Sequence, residues 1–212
     1  MSTINYICSL GSLCHSACWI KNMNYKKCSY PFDWIFARID IVIHCLENNF
    51  KLLLNKKYHI EHISKQKGRS GHKKYSEKLF NHHNILNEKN YNYFVRCVNR
   101  FHILLKKKEK KLFIIGFYNR LENMSKEDLN KLKKLYHLLN SLTINFEILV
   151  IYHIIGNKLK LNIDNSNKKF KLLEIITTKR STGTRMSNEN EDRFFNKSIS
   201  KLYTFNILDD IH

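Results

Sequence analysis

The chain has 212 residues, 43% hydrophobic and 12% aromatic, which is enough for one domain with a sizeable core and excludes a disordered tail. Lys and Arg number 37 against 18 Asp and Glu, a formal charge of +19, and such an excess attracts phosphate through counterion release. Lys far outnumbers Arg, however, and Pro31 is the single proline in a chain swollen in Lys, Asn and Ile; this is an A+T-rich coding signature, so nonspecific nucleic-acid contact through a basic surface is expected rather than base readout.

Ile4–Leu10 reads as a buried strand, and Leu13–Met23 as a helix that carries Cys14 in its first turn. Cys28–Trp34 is turn-rich, Ile39–Leu54 has apolar residues at helical spacing, and Tyr58–Ser64 is a short strand. Lys65–Lys74, with Gly68 and Gly71 among basic residues, reads as an exposed mobile loop, and Leu79–Asn84 returns to a short strand or its end. Tyr91, Phe94, Val98, Phe101 and Leu105 mark one face of a long helix, and Lys111–Phe117 is an apolar strand. Ser125 caps the next helix with Asp128 placed to bond back, and Phe146–His153 is another buried strand.

From Lys158 onward the pattern turns to short alternating segments, Leu159–Ile163, Phe170–Thr177 and Leu202–Leu208, with a polar loop over Thr178–Asp192. The series predicts a single α/β domain over residues 1–212, a central mostly parallel sheet flanked by helices, with shorter strands toward the C-terminus. No apolar run spans a bilayer and no signal peptide is recognisable, so an intracellular, cytoplasmic protein is expected. In that compartment the six cysteines (8, 14, 18, 28, 45 and 97) read as thiols.

Three segments carry unusual chemistry. Ser9–Cys14 (S-L-G-S-L-C) puts a thiol at a helix start, where backbone N–H groups favour an anion and can lower a thiol pKa; Gly11 serves the tight turn. The bland alternative is a buried small hydrophobe. Ser29–Ile35 (S-Y-P-F-D-W-I) wedges Asp33 between Phe32 and Trp34, where a carboxylate needs a partner or serves as a turn cap after Pro31. Leu79–Asn84 (L-F-N-H-H-N) closes on His82 and His83, a base for nucleophilic chemistry or simply a cap and a solvated ring. Arg96 and Arg100 lie one helical turn apart, so their face clamps an acidic substrate group or solvates the helix.

The order of these blocks, followed by the R-x-x-x-R-F of Arg96–Phe101, resembles a family of papain-like cysteine peptidases of unknown function found in bacteria and large DNA viruses. The likeness covers Ile4 to about Phe117 and fades over 118–212. It implies a cysteine hydrolase, peptidase or acyl transferase, acting on an acyl or peptide substrate without a cofactor. Cys14 would be the nucleophile and His82 or His83 the base. Asp33 lies in a matching block but precedes the histidines; Asn119, outside any block, better suits the papain-like order for the orienting group. Gly11, Ser12, Arg96 and Arg100 would contact substrate, with the oxyanion held by the Cys14 N–H and a neighbour. If the source is viral, host cytoplasm or virion is the expected location.

Two other readings stay open. Ser9–Ser12 feeding a helix could cradle a phosphate or nucleotide-sugar in a transferase, although no full G-x-G-x-x-G or G-K-[ST] is present. Alternatively the chain is a basic nucleic-acid-binding protein without catalysis. His59, His62, Cys14 and Cys18 lack the paired C-x-x-C spacing of a zinc site, so no metal is expected.

Overall fold

The computed structural model describes residues 3–167, 169–209 and 211. Its strands are β1 (Thr3–Ile4), β2 (Tyr6–Ser9), β3 (His59–Glu61), β4 (Ser70–His72), β5 (Ser76–Phe80), β6 (Lys111–Arg120), β7 (Phe146–Ile155), β8 (Lys160–Asp164), β9 (Lys171–Thr177) and β10 (Thr204–Phe205). Its helices are α1 (His15–Asn22), α2 (Ile39–Glu47), α3 (Glu88–Lys106), α4 (Lys126–Leu142) and α5 (Glu189–Ser200).

The central sheet runs β2-β6-β7-β9-β8. The first four strands are parallel and β8 is an antiparallel edge. Both faces are covered, and this is why β6 and β7 read as continuous apolar runs. Leu112 and Ile114 pack with Trp19 of α1 and Phe195 and Ile199 of α5. Phe113, Ile115 and Phe117 face the side of α2, α3 and α4, through Val42, Phe101 and Leu135. The result is a three-layer α/β domain of the class expected from the strand–helix alternation.

Several local readings are corrected. The helix expected over Ile39–Leu54 stops at Glu47, because Asn49 and Phe50 take positive φ (53° and 59°) and turn the chain. Lys65–Lys74 is not all loop: Ser70–His72 is the middle strand of a separate antiparallel sheet, β3-β4-β5. Its pairing lets Gly71 approach the Glu77 backbone, where a Cβ would come within 2.6 Å of the carbonyl oxygen. Helix α5 begins inside the segment expected as loop and carries Phe195 and Ile199 into the core. Asn188 caps it by accepting from the Asn190 and Glu191 N–H groups.

Ser125 does cap α4, accepting from the Asp128 N–H at 3.0 Å. The Asp128 carboxylate turns instead to Arg120 at 3.2 Å, so the cap is one-sided.

Candidate active site

The carboxyl ends of β2, β6, β7 and β9 share one edge, where loops leave a parallel sheet and ligands commonly bind. The segment after β2 is laced to β6: Leu10 N–H donates to Ile114 O at 2.7 Å, and Gly116 N–H to Gly11 O at 3.1 Å. The Ser12 hydroxyl donates to Gly116 O at 2.7 Å. Gly11 has φ +90°, and a Cβ there would lie 2.5 Å from Ala37 O, so glycine is required both by conformation and by the approach of the segment before α2.

This lacing sets Ser12 in the wall of a cleft of about 850 Å³. The wall also draws on Arg38 and Asp40 at the start of α2, Asn119 and Arg120 at the end of β6, the loop that follows, Tyr152 of β7 and the first turn of α4. Its cations are already partnered, Arg38 with Asp40 at 3.1 Å, Arg120 with Asp128 at 3.2 Å and Lys131 with Glu127 at 2.6 Å.

Two residues beyond Ser12, Cys14 is the N-cap of α1 and is buried. No side chain caps α1 or α2, whereas α3, α4 and α5 are capped by Asn87, Ser125 and Asn188. Burial pushes the Cys14 thiol up to about 12, with nearby Cys18 and Asp33 adding to it, so the helix terminus does not by itself generate a thiolate. The thiol rests protonated.

Asp33 has the partner its position demanded. It is ion-paired to Lys26 and accepts the Tyr30 N–H at 2.9 Å, which ties the turn around Pro31. Burial raises its pKa, opposed by Lys26 and the Tyr30 N–H. It lies close enough to Cys14 for its charge to act on that thiol.

His82 and His83 sit in the turn after β5. His82 is exposed and meets Phe36 edge-on at 6.4 Å; His83 packs against Tyr93 at 4.8 Å and Phe94 at 5.5 Å. Burial lowers both pKa values, helped by Arg69 at His82 and by His82 at His83. Among the described residues, no hydrogen bond or ring contact joins either imidazole to Cys14. Arg96 is exposed on α3 and Arg100 is half-buried beside Cys28 and Cys97; neither lines the cleft.

Asn119 has φ 61° and clamps the segment after β9: its Oδ1 accepts the Ser181 N–H at 2.7 Å and its Nδ2 donates to Ser181 O at 3.1 Å. This clamp belongs to a buried network that the sequence reading missed. The Asn119 N–H donates to His153 Nδ1 at 3.1 Å, so the ring proton lies on Nε2 and is donated to Thr177 Oγ1 at 2.7 Å. Thr177 donates onward to Lys179 O at 2.7 Å. Burial, opposed by Glu191, takes His153 down to about 4.

His15, next to Cys14, places Nδ1 2.8 Å from Ser181 Oγ. Its ring stacks on Tyr118 at 4.9 Å and meets Phe195 at 4.4 Å. Burial and then the charge of His153 lower it to about 3. Two histidines in apolar company, one directly after the candidate nucleophile and one inside a core strand, were the available signal.

A family model described as Putative papain-like cysteine peptidase (DUF1796) matches residues 5–156. The match runs through β7, well past the block ending near Phe117, and takes in Cys14, Asp33, His82, His83 and Asn119. Ser181 and Thr177 lie outside it. No curated protein and no solved structure gives a significant match.

Proposed function

Since the chain belongs to the family whose model matches residues 5–156, we propose that it is a thiol-dependent acyl-transfer enzyme, peptidase or acyl transferase, with Cys14 as nucleophile. The observation that carries the reading is the placement of Cys14. It stands at the start of α1, two residues beyond the serine that lines the cleft at the carboxyl edge of the sheet. Cys14 is itself buried and does not line the cleft, so in this reading the start of α1 must open toward an acyl group lodged by Ser12, beside first-turn N–H groups that no side chain caps. Those N–H groups suit the oxyanion of a tetrahedral intermediate.

In this reading the thiolate adds to the acyl carbonyl and the thiol proton goes to His82 or His83. The leaving group takes that proton, and water or a second acceptor resolves the acyl-enzyme. Because the resting thiol is protonated and neither imidazole touches it, the turn after β5 must approach α1 when substrate binds; catalytic hydrogen bonds often tighten only in the complex. Asp33 and Asn119 act as supports, one for the turn near the thiol and one for the segment holding His15.

An acyl-directed electrophile, such as a peptidyl vinyl sulfone, tests this by mass spectrometry at neutral pH. Labelling confined to Cys14, and slowed at least tenfold in His82→Ala/His83→Ala, is the expected result. Labelling of Cys18 or Cys28 at the same rate as Cys14 would sink the assignment.

The uncapped starts of α1 and α2 favour one other reading, a cradle for a phosphate or nucleotide-sugar. The parallel strands add in one direction from β2 and offer no reversal of order of the kind that opens a dinucleotide crevice. A rise in Tm with a nucleotide or sugar nucleotide, retained in Cys14→Ala, would favour it.

A further inference from the structure

The F-N-H-H block has a second setting that acyl transfer does not use. Pairing of Glu61 with Ser70, and of Ser70 with Phe80, puts one end of the small sheet in register. His62 follows Glu61, Arg69 precedes Ser70 and Asn81 follows Phe80, and Arg69, Asn81 and Lys78 of β5 all lie near enough to act on His62. His62 is buried, and its Nδ1 is occupied by Ser64, whose N–H donates at 3.1 Å. The ring proton therefore lies on Nε2. That buried atom closes no full hydrogen bond; the Asn81 side chain stands near enough only to favour protonation. A donor is thus held without an adequate acceptor, in a neighbourhood whose charges are the Arg69 and Lys78 cations. Such a site lacks an anion.

The surrounding charge points to what brings the anion. Residues 56–80 hold eight Lys and Arg against two Glu, a net +6 in 25 residues, while the whole chain reaches +19 in 212. Of these cations, Lys56 is paired with Glu88 at 2.8 Å, whereas among the described residues no ion pair engages Arg69 or Lys78. The cations run along the insert beyond the reach of one phosphate. Ile63, 57% exposed beside His62, offers an apolar surface to a sugar or base.

We propose that the end of the β3-β4-β5 sheet, where His62, Arg69, Lys78 and Asn81 converge, seats a backbone phosphate of a single-stranded nucleic acid that tracks along the basic insert. His62 Nε2–H donates to a phosphate oxygen, and Arg69 and Lys78 neutralise the charge. The site lies apart from the cleft and does not depend on Cys14, although Asn81 adjoins His82 and Arg69 acts on that imidazole.

Fluorescence anisotropy with a labelled oligothymidylate tests it on the full chain, with Arg69→Gln/Lys78→Gln against the charge-matched control Lys158→Gln/Lys160→Gln. At about 0.7 ions released per phosphate contact on single strands, the first pair lowers the slope of log K against log salt by about 1.4, and the control leaves it within about 0.3. His62→Gln, which changes no charge at neutral pH, weakens binding at least threefold, with thermal unfolding of each variant showing that the fold persists. Equal losses in both double variants would reduce the effect to net charge and overturn the proposal. So would loss of binding to phosphatidylserine vesicles with oligonucleotide binding intact, since the partner would then be a membrane surface.

Discussion

Gly11→Ala isolates how the loop before Cys14 is built. The residue has φ +90°, and the added Cβ would stand 2.5 Å from the backbone oxygen of Ala37. The left-handed conformation costs an L-residue roughly 1–2 kcal/mol. Relieving a clash with backbone rather than with a flexible side chain adds roughly 1–3 kcal/mol. A loss of about 3 kcal/mol lowers Tm by about 6–12 °C for a chain of this size. Gly68→Ala is the internal control: φ is +80° there, but no atom lies within 4 Å of the new Cβ. Only the conformational cost of about 1 kcal/mol remains, or about 2–4 °C. Calorimetric melts of the two variants beside the parent measure the difference. Equal shifts would show that the contact with Ala37 does not constrain the loop, and the account of how Ser12 and Cys14 are positioned would fail.

Lys26→Ala leaves the Asp33 carboxylate buried without its cation and costs about 3–5 kcal/mol at neutral pH. Asp33 already has a raised folded-state pKa, so its contribution is most favourable below the unfolded carboxylate value and is lost as pH rises through the folded one; the variant's deficit therefore shrinks on acidification. Urea melts stepped in pH that show a constant deficit would refute this. His153 behaves in the opposite sense. Its folded value is depressed from 6.5 to about 4, so stability present above pH 6.5 is lost as pH falls toward 4, by about 3 kcal/mol at 1.36 kcal/mol per pH unit. His153→Gln should flatten that part of the stability–pH curve, with His15 accounting for what slope persists. An unaltered curve would mean that the buried ring does not resist protonation.

The layers of the fold were legible because β6 and β7 are apolar on both faces and α4 carries a leucine stripe behind a serine cap. Helix α5 was not, since only Phe194, Phe195 and Ile199 interrupt a polar run and its start is announced by Asn188 alone. The bend at Asn49 and Phe50 was hidden by apolar spacing that continues past it through Phe50 and Leu53. Within the site, the thiol and its glycine turn could be read from neighbouring residues. The bridge from His15 through Ser181 to Asn119 and His153 could not, because its members are spread over 166 positions and meet only when β2, β6, β7 and β9 align. Asp33 was recognised as a carboxylate needing a partner, but nothing in the spacing named Lys26.

Among the described residues, the first strand of the central sheet pairs only with β6, Tyr6 against Lys111 and Ser9 against Ile114. About a hundred residues must therefore be synthesised before β2 has a neighbour, on the order of 5–20 s of elongation. Throughout that interval the apolar Ile4–Leu10 segment, Cys8 included, is without its native strand partner. Closing so long a loop also places this docking late among the pairings of the chain. The nascent chain thus passes through a stage in which a segment destined for the core has no partner to cover it.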